Sequence, residues 1–500
     1  MRFKQLFAFN KESIAKSAVI VVVYSLVERA IMMGRGVVFA RVLGPAEYGV
    51  FSLALSFFSV AVAMAKLGVP SCFTRYITQY EHKGTLRDFI RRTYRLVAFG
   101  AVGVGLGFVL FASRIAQWTY GSTTYATVVV ICGLIVIPAV FYESLDSTFT
   151  GLRSFKLQSL LKFTHFLIFT VLGLILVIYF RTAVPLLTAY FFATLAVAVF
   201  FGGLLKKHLA EENGQHGVIA EQGFYKKIFA FSAAYFFSPV IFILFSYTDR
   251  WMLVRLTDIQ QVGIYSAATK FSELIYAFGV IAGNVLCPNL SGLWEEGKRQ
   301  KVIHLLNMSV KVNTLLLLVG AAALYLLKDQ IVPWFYGDKY LHALPIIGAI
   351  LIFGIYQTIN ATLSGFARLI EKTYIMPIVH ALGLMCNLVL TYLLIPKYGI
   401  LGAAVASAIS SALISVVLFV WFHKEGLTVS LSMMIVCTLP LLLLLSKVWV
   451  FLIILVLVVL AMKTNWVMDD AERAMLLSQW GKVRTKFFAP KPSEPTSGLD

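Results

Sequence analysis

Arg41-Val-Leu-Gly-Pro-Ala-Glu-Tyr-Gly49-Val-Phe-Ser52 returns, at an offset of 214 residues, as Arg255-Leu-Thr-Asp-Ile-Gln-Gln-Val-Gly263-Ile-Tyr-Ser266. The arginine, the glycine, an aromatic residue and the serine keep their places. Further matches follow in the same order. Trp118-Thr-Tyr-Gly121 pairs with Trp334-Phe-Tyr-Gly337 at an offset of 216, and Tyr142-Glu-Ser-Leu-Asp-Ser-Thr-Phe-Thr-Gly151 pairs with Tyr356-Gln-Thr-Ile-Asn-Ala-Thr-Leu-Ser-Gly365 at 214. His165 and His380 lie 215 apart. One match could arise by chance. A series at nearly constant offset marks a duplicated unit.

The composition says what kind of unit it is. The chain has 500 residues, 59% of them hydrophobic and only 13% charged, with a mean hydropathy of +0.83. Soluble domains are about half apolar and about a quarter charged. So much apolar surface cannot be hidden in a soluble core, which excludes a soluble enzyme, a disordered chain and a disulfide scaffold. The five cysteines stand singly, with no metal-ligand spacing. No Walker loop, HExxH or GxSxG motif occurs, so neither an ATPase nor a catalytic centre, cofactor or metal is indicated.

A spanning helix needs about 20 mostly apolar residues. Roughly fourteen stretches qualify, centred near Met32, Phe57, Val104, Val130, Phe169, Leu195, Phe237, Tyr276, Leu317, Leu351, Leu384, Ala412, Pro440 and Leu455. The repeat offset covers six of them, so both copies keep the same orientation. The reading is an all-α polytopic membrane protein built from two parallel six-helix bundles. The segments are a short N-terminus at 1–16, a first lobe at 17–205, a linker at 206–226, and a second lobe at 227–421. Two further helices at 422–463 and a tail at 464–500 complete the chain. Net charge is +19, and the connectors on one side hold about 29 cations against about 9 on the other. The positive-inside rule then puts both termini in the cytoplasm, and the excess charge reflects topology, with no nucleic-acid partner. Parallel repeats around a cleft are a transporter architecture, with the substrate held between halves near the midplane.

The stretch Ala40–Ala54 resembles the first-helix-pair signature of Wzx-type polysaccharide flippases. These are a branch of the multidrug/oligosaccharidyl-lipid/polysaccharide exporter superfamily. Thr248-Asp-Arg-Trp-Met-Leu253 with Gly263-Ile-Tyr265 is similar to the signature at the seventh and eighth helices. Phe335-Tyr-Gly337 and Lys397-Tyr-Gly-Ile-Leu-Gly-Ala-Ala404 resemble later ones. The resemblance implies a V-shaped pair of lobes in the inner membrane of a bacterium or archaeon. It implies movement of a polyprenyl-pyrophosphate-linked oligosaccharide to the outer leaflet, for O-antigen, capsule or exopolysaccharide. It further implies antiport of a coupling ion (H+ or Na+) and polysaccharide polymerase or chain-length proteins as partners in the membrane lipid. A lipid II flippase and a multidrug/cation antiporter stay open as alternatives. A membrane polysaccharide polymerase or ligase fits less well, because the outer connectors are short.

Ionisable groups at membrane depth are costly and usually face a cavity or a partner. In the first helix, Glu28 and Arg35 lie close to two turns apart on one face, about 10 Å along the axis, with Arg29 turned away. A guanidinium suits phosphate through its fixed charge and planar donors. Arg29 and Arg35 are therefore candidates for holding the pyrophosphate, beside an alternative in which they pair with Glu28. Lys270 and Glu273 sit three apart and can pair; their first-copy equivalents are Ser56 and Ser59. Lys66 could line the entrance or snorkel. Glu143 and Asp146 stand where the second copy has Gln357 and Asn360, and only carboxylates exchange protons. The candidate substrate-binding residues are Arg29, Arg35, Lys66 and Lys270. The candidate ion-coupling residues are Glu28, Glu143, Asp146, Asp249 and Glu273. His165 and His380 read as packing residues more readily than as proton carriers.

Overall fold

The computed structural model describes residues 14–211, 219, 223–428, 430–453 and 456, with side chains described outside 14–30, 211, 234, 281–289 and 431. Among these residues there is helix and no strand. A chain crossing hydrocarbon must satisfy its backbone polar groups within each segment, and helices do so. Among the described residues, ten helical stretches are long and apolar enough to cross a membrane.

The first element, α1 (Ile14–Lys66), turns a corner at Gly44, where φ is 74° and ψ is 172°. Glycine is suited to that conformation, and Pro45 starts the second arm without a donor to lose. Then come α2 (Pro70–His82), α3 (Leu86–Leu110), α4 (Ala112–Tyr120), α5 (Ala126–Gly151), α6 (Phe155–Phe180) and α7 (Ala183–Glu211). The second copy follows as α8 (Phe224–Leu256), α9 (Ile259–Glu295), α10 (Arg299–Leu326), α11 (Lys328–Tyr336), α12 (Ile347–Leu369), α13 (Ile375–Tyr398) and α14 (Ile400–Lys424). Short helices α4 and α11 occupy equivalent places in the two copies and carry the two Trp-x-Tyr-Gly motifs. In the first bundle α3 and α7 both pack on α5; in the second α12 and α13 pack on α14. A last short helix, α15 (Leu431–Thr438), leads into a 3-10 turn at Leu439–Leu444. This segment lies over the second bundle, where Tyr356 donates to the Cys437 carbonyl at 2.9 Å and Tyr325 to that of Leu445 at 3.0 Å.

The bundles meet most extensively along the second arm of α1 and α9. The contact is backbone on backbone. A Cβ on Gly49 would lie 2.1 Å from the Ile259 carbonyl oxygen, and one on Gly263 would lie 1.8 Å from that of Pro45. These two glycines are repeat equivalents. One turn on, Ser52 and Ser266, also equivalents, share a hydrogen bond of 2.7 Å between their Oγ atoms. The outer rim of the same end repeats the pattern reciprocally. Arg41 of the first copy donates to the Trp334 carbonyl of the second at 3.1 Å, and Arg255 of the second donates to the Trp118 carbonyl of the first. Residues matched by the sequence repeat are thus matched across the interface, which closes the Gly44 end. At the opposite, cation-rich end, α8 starts against the first bundle, with Phe224 and Ile228 buried beside Tyr80 and Phe89.

Replacing Gly49 or Gly263 with leucine is expected to lower the thermal unfolding midpoint in detergent. The penalty is that of overpacking, about 1–3 kcal/mol or more because backbone has to move. Gly103→Leu, where a Cβ meets nothing within 4 Å, is the control and should leave the midpoint unchanged.

Candidate functional site

Below the closed end, charges from both bundles converge around Tyr48 of α1. Arg35, Arg250, Lys270 and Glu273 all lie within electrostatic reach of its hydroxyl. Three of the four are cations. Arg35 is seated by α6: its Nη1 donates to Thr170 Oγ1 at 3.1 Å, and its guanidinium carbon stands 4.4 Å from the Phe169 ring centroid and 5.0 Å from that of Phe166. Cation–π contacts of this kind fix a guanidinium in place. Arg250 is buried on α8 and bonds Ser266 Oγ at 3.2 Å and Thr269 Oγ1 at 3.0 Å, both on α9. Lys270 and Glu273 pair at 2.7 Å, as their spacing suggested. They line a cavity of about 130 Å³ with Met32 and Met33 of α1. Glu273 also borders a second cavity of about 250 Å³, shared with Asp249, Arg250 and Gln357.

Toward the cation-rich end, the structure brings together two residues given separate roles by sequence. Lys66, at the end of α1, pairs with Glu143 of α5. Asp146, one turn along α5, pairs with Lys162 of α6 at 3.1 Å. His165 shares a 2.9 Å hydrogen bond with Thr194 and packs on Tyr142 and Tyr190. His380 is buried against Phe242. Both histidines have the surroundings of packing residues.

Asp249 lies deeper in the second bundle, 3% exposed. Its Oδ2 accepts a hydrogen bond from Tyr265 of α9. Ser407 of α14 and Asn387 of α13 flank the carboxylate. Asn387 donates to Ser407 Oγ at 3.2 Å, and Thr391 sits one turn along the same face of α13. Oδ1 of Asp249 and Oδ1 of Asn387 are buried without a hydrogen bond. A buried carboxylate with spare acceptor capacity is costly as an anion.

Glu28 and Arg29 lie on α1 outside the described side chains. Sequence reasoning gave no site role to Lys162, Asn387 and Ser407, and quoted Arg250 and Tyr265 only as parts of signatures. A signal was available for one of them, since Asn387 and Thr391 put two polar groups four apart in an apolar span. Lys311 of α10 was also missed; it is 2% exposed and donates to Ser432 Oγ at 3.3 Å.

A sequence model for a family described as polysaccharide biosynthesis protein matches residues 14–294, and a MatE model matches residues 234–393. An uncharacterized membrane protein of Methanocaldococcus jannaschii is 23% identical over 408 residues, 78% of this chain and 80% of that protein. A putative O-antigen transporter of Shigella flexneri is 22% identical over 398 residues, 77% of this chain and 92% of that protein. Among solved structures, a lipid II flippase in an inward closed conformation superimposes with a TM-score of 0.69 at 16% identity, covering 92% of this chain and 99% of that one. That likeness establishes a shared two-lobed fold.

The Lys66–Glu143 pair is half-exposed, with side chains 23% and 43% accessible. A double-mutant cycle on thermal stability with Lys66→Met and Glu143→Gln is expected to give a coupling of roughly 0.5–3 kcal/mol. Additive losses would show that the two groups do not interact.

Proposed function

The chain belongs to the polysaccharide biosynthesis protein family, and from that membership we propose that it moves a polyprenyl-pyrophosphate-linked oligosaccharide across the membrane by alternating access. It is a multi-pass membrane transporter of the flippase type. The observation that supports the substrate class is the gathering of Arg35, Arg250 and Lys270 with Glu273 around Tyr48, between the two bundles. Cations at membrane depth are costly and usually face a cavity, a pathway or a partner. A pyrophosphate offers the charge and the planar acceptors that guanidinium groups fit.

Size supports movement of the lobes. The two cavities hold about 250 and 130 Å³, whereas pockets that enclose a drug-sized ligand hold about 300–1,000 Å³. A pyrophosphate fits the closed form; its glycan needs the bundles to part. The Gly49–Gly263 seam and the reciprocal arginine contacts are the surfaces that would separate. Both termini and the cation-rich end face the cytoplasm of a bacterial or archaeal inner membrane, so loading occurs there and release follows opening of the Gly44 end.

Asp249 is the coupling carboxylate in this reading. Its partner Tyr265 adjoins Ser266, which bonds both Ser52 and Arg250. Loading Asp249 with a proton or a sodium ion changes the α8–α9 contact two residues from the seam. Glu143 and Asp146 already have lysine partners and serve better as fixed ion pairs than as carriers.

The test is translocation in proteoliposomes of purified protein, with a short polyprenyl-pyrophosphate oligosaccharide and an imposed pH or sodium gradient. Wild-type transport should follow the gradient. Arg35→Ala and Lys270→Ala should each slow it roughly tenfold or more, the loss of a charged hydrogen bond worth about 1.5–3 kcal/mol. Asp249→Asn should leave slow exchange that ignores the gradient. Normal transport by a properly inserted Arg35→Ala variant would remove the anion site. Transport of lipid II or a cationic dye in place of the glycolipid would favour the alternative branches.

A further inference from the structure

One recess of the described residues is not between the bundles. It lies on the outside of the first one, where α3 and α7 flank α5 and leave a groove of about 810 Å³. Its walls are apolar, with Tyr94 of α3 and Phe141 of α5 on one side and Ala198 and Val199 of α7 on the other. Val199 is 66% exposed, which in a membrane means exposed to lipid. The space is real at the α7 wall, since a Cβ on Gly202 would meet nothing within 4 Å.

One end of the groove is cationic. Arg87 and Arg91 of α3 and Lys206 of α7 line it there. The two arginines are one helical turn apart, about 6 Å along the axis. Lys206 stands one turn beyond Gly202 on the facing wall. The apolar run along α7 from Leu195 to Lys206 measures about 16 Å at 1.5 Å per residue. Half of a bilayer's hydrocarbon thickness is about 15 Å. The groove is therefore one leaflet deep, with positive charge at the headgroup level.

We propose that this groove holds one anionic phospholipid, its headgroup on Arg87, Arg91 and Lys206 and its acyl chains along α3, α5 and α7. The depth favours a two-chain lipid over a long polyprenyl tail, which would overrun a single leaflet. Two guanidinium groups and an ammonium favour a net negative headgroup over a zwitterionic one. The site is separate from the cavity between the bundles and does not depend on what that cavity carries.

Native mass spectrometry of the full-length protein, titrated with phosphatidylglycerol or phosphatidylcholine, reads the proposal. Wild type should retain one phosphatidylglycerol at least about tenfold more tightly than phosphatidylcholine, a difference of about 1.4 kcal/mol. The triple variant R87Q/R91Q/K206Q should lose that preference. Gly202→Trp, which fills the groove and keeps the charges, should lose the bound lipid. A photoactivatable phosphatidylglycerol, used on wild type alone, should label peptides of α3, α5 and α7. Equal retention of the two lipids by wild type would overturn the proposal. So would label confined to other helices, or displacement of the phospholipid by an equimolar polyprenyl phosphate.

Discussion

Two glycines with no room for a side chain hold this architecture together. Gly49 and Gly263 let the second arm of α1 and α9 touch through their backbones, each glycine facing a carbonyl of the other helix. In a membrane there is little hydrophobic drive between helices, so close packing through small residues supplies the attraction. Because the two glycines are repeat equivalents, the contact makes the duplication an axis in space. Everything else at that end follows from it. Ser52 reaches Ser266, and each copy's arginine reaches the other copy's tryptophan carbonyl. A contact made of many small, matched parts can also open and re-form as a unit, since packed interfaces switch between discrete arrangements.

The duplication was kept for the seam and relaxed for the chemistry. Ser56, where the second copy has Lys270, accepts a 2.8 Å hydrogen bond from Trp251 and serves packing. Asn360, where the first copy has Asp146, donates to the Ser411 carbonyl at 3.2 Å and accepts from Ser415 at 2.7 Å. It ties α12 to α14 without charge. The first bundle instead spends its carboxylates on Lys66 and Lys162. The second bundle holds Asp249 among hydroxyls and an amide. The two halves thus differ in the charges they hold at equivalent positions while sharing one framework.

The framework was legible in the sequence because its determinants are local or periodic. Apolar spans of membrane length and the repeat motifs each read from a short window, and all of the expected span centres up to Pro440 fall in helix or helical turn. The Lys270–Glu273 pair was legible for the same reason, since three residues on a helix fix their separation. The rest of the site depends on distant neighbours. Arg35 points where Thr170 does, 135 residues away, and Lys66 meets Glu143 across 77 residues. No spacing rule reaches that far. The same holds for the groove on the first bundle, which needs three helices to exist and whose arginines, read alone, look like any charged loop.

The account turns on the seam being a gate, and a cross-link across it is the most direct measurement. In a background without native cysteines, Ser52→Cys with Ser266→Cys replaces two Oγ atoms 2.7 Å apart. Translocation in proteoliposomes is then measured before oxidation, after oxidation and after reduction. The account predicts normal movement when reduced, near-complete loss when the disulfide forms, and recovery on reduction. Full transport by the oxidised, quantitatively cross-linked protein would mean that substrate crosses without the seam opening, and alternating access between these lobes would have to be abandoned.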